Sequence, residues 1–492
     1  MNLRKALGLG FENGEISGRI QMRPKTKQVY EEVLQEIKPN EKEKKQVAQT
    51  VSTVLKTLEE EIKKSGIEAR PELEGSIAHG TWISGERDID IFILFPLGYP
   101  LDDLKRVGLE LGKKTSKGKW RERYAEHPFI EAEVDGYRID IVPCYKISEH
   151  TEKVTSVDRT PLHTEYLSTK IGENTRDEIV LLKAFMKGIG IYGAEVRING
   201  FSGYLCELLV IHYGSFEDVL KNGLRWTTGE VIDIEKHYED HEMLKTVFTE
   251  PLILIDPVDP SRNVAAAVSI DRMADLKSAA RAFFENPSTK FFKYTHVKPM
   301  NKTEMVRLLE SRGTDTLFIQ LPCEKISPDI IWGELKKSSK ALKKLLERYD
   351  FEVMNSDSWS DEGSISIMVM ELASTSLPDV KVHEGPFAGD PNQQKFLDKH
   401  LYNEKTISGP WVKNGRWHVE LKRDITNAKE LVNSKLKDEN LTDIGLSRDI
   451  MNWLKRGGKV LLNKEILAFY DSSESFAEFL TRFYIKKPNW LR

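Results

Sequence analysis

The sequence predicts an α+β multidomain protein, and three observations carry that prediction. At roughly 150 residues per domain, 492 residues allow about three domains. Apolar residues recur at helical spacing between Asn40 and Ser65, whereas Ile89–Phe95, Phe129–Val134 and Tyr137–Val142 are short apolar runs of strand length. Apolar residues make up 39% of the chain and charged residues 30%, the balance of a folded protein with much exposed helix surface.

Composition also excludes classes of protein. Lys plus Arg is 73 and Asp plus Glu is 77, a formal net charge of −4, so there is no overall cationic coat. A local basic face for nucleic acid remains compatible with that total. The cysteines, Cys144, Cys206 and Cys323, are odd in number and far apart, which fits neither a disulfide framework nor a cysteine zinc site. The expected compartment is the reducing cytoplasm. No apolar run is long enough to cross a membrane, and Met1–Gly10 lacks the apolar core of a signal peptide.

Residues 1–22 show no period and read as an N-terminal extension. Val47, Val51, Val54, Leu55, Leu58 and Ile62 then form one helical stripe, with Asn40 as N-cap and Gly66 as stop. Ile89–Phe95 reads as a buried strand stopped by Pro96. Phe129–Val134 and Tyr137–Val142 read as a hairpin turned at Asp135-Gly136, its second strand stopped by Pro143. Residues 173–290 read as mostly helical, with Ile179, Leu182, Phe185, Met186 and Ile189 on one face of the first helix. Thr316–Leu321, Trp332–Arg348, Phe351–Ser358 and Ser364–Glu371 make a βαββ unit. Residues 424–492 read as helices ending in an aromatic and basic tail.

Two motifs are decoys. Gly188-Ile189-Gly190-Ile191-Tyr192-Gly193 matches G-x-G-x-x-G, but it follows an amphipathic helix rather than a strand, and reads as a helix end plus a turn. His237 and His241 have the spacing of two zinc ligands on one helix face, but Tyr238 stands where the zincin pattern needs Glu.

The chemistry concentrates between Gly75 and Asp140. Gly75-Ser76 opens a loop of small residues that lets backbone N–H groups approach an anion. Asp88 and Asp90 occupy alternate positions of a strand, so both carboxylates face one side while Ile89 and Ile91 face the core. Two like charges on one face call for a cation, and aspartate oxygens suit Mg²⁺. Asp140, flanked by Ile139 and Ile141, supplies a third carboxylate if its strand lies beside the first. Three carboxylates and a phosphate-binding loop describe a two-metal phosphoryl-transfer site.

Gly75-Ser76, eleven intervening residues, Asp88-Ile89-Asp90 and a downstream Asp140 resemble the nucleotidyltransferase superfamily of DNA polymerase beta. Longer words narrow the resemblance: Gly75-Ser76-x-x-x-Gly80-Thr81-Trp82, Asp140-Ile141-Val142-Pro143-Cys144-Tyr145, Val157-Asp158-Arg159-Thr160-Pro161-Leu162-His163, Gly200-Phe201-Ser202-Gly203-Tyr204-Leu205-Cys206-Glu207-Leu208, and Asp256 to Ala266. Together they are similar to the archaeal, class I CCA-adding tRNA nucleotidyltransferases, from about residue 25 to the end.

That resemblance implies addition of C, C and A to the 3′ end of tRNA from CTP and ATP, without a template. It implies a polymerase-beta-like palm or head at 23–171, a helical neck that binds the nucleotide base at 172–290, a small α/β RNA-binding body at 291–400 and a tail for the tRNA elbow at 401–492. Asp88, Asp90 and Asp140 would hold two Mg²⁺ ions. Ser76, His79, His163, Lys183, Tyr192 and Arg262 would contact the nucleotide, with Arg262 at the base. The position of His79 is often Arg or Lys in the family, and a neutral imidazole brings less charge to a phosphate. In the tail, Arg416, Lys422, Arg423, Lys455 and Arg456 are candidate contacts to RNA phosphates. The family also implies a homodimer. The competing readings are another template-independent transferase, such as a poly(A) polymerase, and a catalytically silent RNA-binding relative.

Overall fold

The computed structural model describes residues 24–116, 118–124, 127–148, 154–324, 326–437 and 444–492; the extension expected at 1–22 lies outside them. The first helices are α1 (Pro24–Ile37) and α2 (Glu41–Ser65). The start of α2 is fixed by a capping box. The Asn40 side chain accepts from the Lys42 and Glu43 amides at 3.0 Å, and the Glu43 carboxylate accepts from the Asn40 amide at 2.9 Å. Gly66, left-handed at φ 66°, ends it. Val47, Val51, Val54, Leu58 and Ile62 are buried, as the stripe predicts.

This stripe packs on a sheet of β1 (Arg70–Glu74), β2 (Asp88–Phe95), β3 (Trp120–Tyr124), β4 (Pro128–Val134) and β5 (Tyr137–Tyr145), in the order β1-β2-β5-β4-β3. The strands β2 and β5 are parallel and the other pairs antiparallel. Between β1 and β2 lies the one-turn helix α3 (Gly75–His79); α4 (Leu101–Thr115) joins α2 on the sheet. The Asp135-Gly136 turn has φ of 53° and 81°, the left-handed pair of a tight hairpin. Pro143 does not stop β5: the strand runs on to Tyr145. The β4 pairing ends at Ile130–Ile141, so the missing N–H of Pro143 falls on an unpaired side while pairing with β2 continues through Ile93–Pro143.

Next come α5 (Thr160–Lys170), α6 (Glu173–Ile189), α7 (Gly203–Tyr213), α8 (Phe216–Gly223), α9 (His241–Val247) and α10 (Ile270–Glu285), around a core of Phe185, Phe216, Phe283, Phe291 and Phe292. Two expectations need correction here. First, α6 is buried on nearly every side, from Ile179 through Met186, because α1, α7, α8 and α10 enclose it. Second, the region carries a sheet, β6 (Glu230–Asp233), β7 (Leu252–Asp256) and β8 (Asp259–Asn263), whose strands are too short to register as a period. His237 precedes α9, so it shares no helix face with His241.

After α11 (Lys302–Ser311), β9 (Asp315–Pro322), α12 (Pro328–Arg348), β10 (Val353–Ser360) and β11 (Ile365–Leu372) form the expected βαββ unit. A second sheet follows, β12 (Val380–Phe387), β13 (Thr406–Lys413) and β14 (Arg416–Lys422), ordered β12-β14-β13, with α13 (Gln393–Leu401) on one face. The boundary expected at 400/401 therefore falls inside one sheet. Residues beyond it do not form a separate tail either. The helices α14 (Ala428–Lys437) and α15 (Arg448–Lys455) share a core with α12, β15 (Lys459–Leu462) adds to the edge of β9, and α16 (Leu467–Ser472) and α17 (Glu474–Ile485) cover the opposite face. Near the C-terminal end Trp490 lies inside the neck core, against Phe291.

Candidate active site

The parallel pairing of β2 and β5 sets the centre of the site. Asp90 lies opposite Asp140, and Asp88 opposite Arg138, so all four side chains project from one face. Arg138 Nε sits 3.0 Å from Asp88 Oδ1 and 3.9 Å from Asp140 Oδ1. Burial pushes Asp140 up to about 7, against the lowering pull of Arg138 and with a further raise from Asp90. Burial, then the Asp88 charge, raises Asp90 to about 6. Among the described residues Asp140 Oδ1 is buried and has no hydrogen-bond partner. Gly75 makes room: at φ +71° it is left-handed, and a Cβ there would collide with Asp90 Oδ2. Ser76 follows at once in α3.

These residues fit divalent metal. The donors are hard oxygens, one of them a buried orphan, and among the described residues the Arg138 guanidinium is the only cation in ion-pair contact with them. Among the described residues no three acidic, His or Cys side chains close a metal cage by themselves. Asp88 is turned aside onto Arg138.

Four of the six candidate nucleotide contacts, His79, Lys183, His163 and Arg262, converge on two buried carboxylates. Glu207 on α7 accepts from Lys183 Nζ at 2.8 Å and Thr81 Oγ1 at 2.5 Å, and lies 3.3 Å from His79 Nδ1. The other ring nitrogen of His79 meets Thr164 Oγ1 at 3.1 Å, and Thr164 in turn donates to Glu74. His79, expected at a phosphate, thus has both nitrogens engaged by protein. Lys183 is 1% exposed, with its ammonium on Thr81 and Glu207 rather than open to a phosphate. Despite complete burial, the Lys183 and His79 charges hold Glu207 down to about 2.

Asp256, at the end of β7, is the second hub. It accepts from His163 Nε2 at 2.9 Å and Arg262 Nη1 at 2.8 Å. Burial holds His163 below its ordinary value, while those two donors bring Asp256 down to about 2 against its own burial. Tyr192 sits beside Gly203, with the Lys187 ammonium 4.8 Å from its ring centre.

The candidate RNA contacts lie at two places along the fold, on or just after β14 and on or just after α15. Arg416 and Lys422 lie on β14, where Arg416 stacks 3.9 Å from the Phe387 ring centre. Arg423 is tied to Asp350, and Arg456, past the end of α15, to Glu324. Lys455 is exposed on α15. Sequence reasoning missed Glu207 and Asp256 as site residues. Their signal was local: Glu207 stands inside the apolar run Leu205 to Val210 and Asp256 directly follows the run Leu252 to Ile255, where an unpaired charge is costly.

A carboxylate-bearing mixed sheet with a glycine-serine turn at its edge defines a nucleotidyltransferase, and the family described as nucleotidyltransferase domain matches residues 51–163. The family described as tRNA nucleotidyltransferase, second domain, matches 177–293, and that described as CCA-adding enzyme, C-terminal domain, matches 312–463. The CCA-adding enzyme of Methanothermobacter thermautotrophicus is 36% identical over 458 residues, 92% of this chain and 97% of that protein. The CCA-adding enzyme of Pyrobaculum islandicum is 38% identical over 412 residues, 82% of this chain and 93% of that protein. Among solved structures, the Cid1 poly(U) polymerase aligns with TM-score 0.45 at 16% identity, over 55% of this chain and 98% of that one. The chain belongs to the CCA-adding enzymes.

Proposed function

We propose that this protein builds and repairs the 3′-terminal CCA of tRNA, adding CMP, CMP and AMP from CTP and ATP with release of pyrophosphate, and that two Mg²⁺ ions serve it. The observation that supports this most is the in-register pair Asp90 and Asp140 on adjacent parallel strands, one of them with a buried, unpartnered oxygen. Asp88, Asp90 and Asp140 would hold the ions. When bound, such ions acidify the RNA 3′-hydroxyl and neutralise the triphosphate and departing pyrophosphate.

The chain's own groups do the rest. Ser76 and the turn before it donate to phosphate oxygens. His163 faces the phosphate and ribose side, its ring fixed by Asp256. Arg262 offers its remaining N–H groups to the base edge. Tyr192 and Lys183 complete the wall, while His79 acts through Glu207 and Thr164. Arg416, Lys422 and Lys455 contact RNA phosphates, with Arg423 and Arg456 released from their acidic partners to join them. The protein works in the cytoplasm as a homodimer, the latter readable by light scattering.

The test uses tRNA lacking CCA, Mg²⁺, and CTP alone, ATP alone or both. Two additions with CTP and three with both, then arrest, is the expected result. A long A-ladder moves the protein to the poly(A) polymerases. Intact RNA binding without product moves it to the silent relatives.

A further inference from the structure

The turn after β7 carries an arrangement with consequences for nucleotide choice. Asp256 is fully buried, at the end of a strand whose five residues are all buried. Pairing with β8 breaks its register between Ile255 and Asp256, which brings Arg262 back over the carboxylate. Oδ2 accepts from Arg262 Nη1 at 2.8 Å and His163 Nε2 at 2.9 Å. Oδ1 accepts from the Val258 amide at 3.1 Å and the Tyr204 hydroxyl at 3.3 Å. Both oxygens are therefore doubly used, and Tyr204 stacks on the His163 ring at 4.1 Å.

Two of the ligands of Asp256 keep polar atoms in reserve. Among the described residues Arg262 spends only Nη1 on the protein, and its side chain is 32% exposed, so the rest of the fork is free for a partner. Among the described residues His163 spends only Nε2, which leaves Nδ1, an acceptor in the neutral ring and a donor once the ring is protonated. A long arginine side chain is otherwise free to sample many rotamers, and a fork that wanders cannot distinguish a cytosine edge from an adenine edge.

The geometry points to Asp256 as a positioning residue for nucleotide selection: one buried carboxylate locks the Arg262 guanidinium to the His163 imidazole, so base edge and triphosphate are read by a single rigid unit. This rests on the reading above in which Arg262 meets the base and His163 the phosphates. Asp256 touches neither. It acts through them, and its loss should change the choice between CTP and ATP rather than the rate alone.

The experiment uses the full-length enzyme and two tRNA substrates, one lacking CCA and one ending in CC. Single-turnover kcat/KM for CTP and ATP is measured on each for wild type, Asp256→Asn, Asp256→Glu, Arg262→Ala and the Asp256→Asn/Arg262→Ala double variant. In Asp256→Asn the charge that holds Arg262 is lost and the amide must turn its N–H₂ towards one of the two donor pairs, so the correct-to-incorrect nucleotide ratio should fall about tenfold or more, towards that of Arg262→Ala. The double variant should be no less selective than Arg262→Ala alone, because one residue works through the other. Asp256→Glu keeps the charge but displaces it by a methylene, and should fall between. If Arg262→Ala loses selectivity while both Asp256 variants keep the wild-type ratio and merely slow both nucleotides equally, the positioning role is wrong. If Arg262→Ala itself keeps the ratio, the base-reading role fails first and takes this proposal with it. Should Asp256→Asn not fold, Asp256→Glu decides alone.

Discussion

Asp90 and Asp140 are carboxyl groups held above their ordinary 3.8, at about 6 and about 7. Metal binds the ionised form, so its affinity should weaken as pH falls through 7 towards 6, and binding at pH 6 should release protons. Titration calorimetry in two buffers of different ionisation enthalpy reads that release; a buffer-independent heat would contradict it. The same shifts fix a sign for stability. Between 3.8 and about 7 the native metal-free state binds more protons than the unfolded chain, so these groups make the metal-free protein less stable as pH rises across that window. Added Mg²⁺ should reverse the trend. Asp90→Asn or Asp140→Asn should cost at least about 10²-fold in kcat, in line with the loss of one group that steadies transition-state charge. Nucleotide incorporation by either variant at the wild-type rate would remove the carboxylates from the chemistry.

At the scale of elements, the head was legible because its signals are local. The capping box at Asn40 and Glu43, the left-handed Asp135-Gly136 turn and the alternation of Asp88 and Asp90 each lie within four residues. The two hubs were only half legible: an acid in or beside an apolar run marks each, but its partner is out of local reach, since Glu207 meets Lys183 from 24 residues away and Asp256 meets His163 from 93. No period or motif encodes such a pairing. Gly75 shows how an element depends on one atom. Alanine there meets both a φ of +71° and the Asp90 carboxylate, so Gly75→Ala should cost about 1–3 kcal/mol and displace Asp90. Its signature is a loss of metal affinity beyond the drop in Tm; unchanged metal affinity would refute the displacement. The Glu207–Lys183 pair fastens the head, through Thr81 and His79, to the neck. Lys183→Met strands a buried carboxylate and should cost about 3–5 kcal/mol in denaturant unfolding. Because Glu207 lies at about 2 instead of 4.5, the wild-type contribution is complete above pH 4.5 and is lost as pH falls towards 2, so the gap between variant and wild type should close over that range. A gap independent of pH would place the cost elsewhere.

For the whole molecule, the order of the chain hides how its parts are joined. The last residues do not trail away from a distal tail. The helices α16 and α17 close the second face of the body sheet, and the chain then crosses to the neck, where Trp490 is 5% exposed and its ring lies 6.3 Å from that of Phe291. Asn489 reaches the Gly188 carbonyl at the end of α6, close to where Phe291 and Phe292 cross that glycine. The α6 helix also carries Lys183, so the C-terminus packs on the back of the element that serves the nucleotide site. Neck and body should therefore unfold together, and a change at residue 490 should be felt 300 residues earlier in sequence. Trp490→Ala removes a large buried ring and should cost about 3–5 kcal/mol. Trp490→Phe should cost much less, since the indole N–H is buried without a partner among the described residues and phenylalanine carries no donor to strand. The decisive reading is denaturant unfolding followed by two probes, one in the neck and one in the body. Coincident transitions that shift together in Trp490→Ala support a joined neck and body. A neck transition that stays in place while the body melts earlier would show that the C-terminal segment only touches the neck without stabilising it.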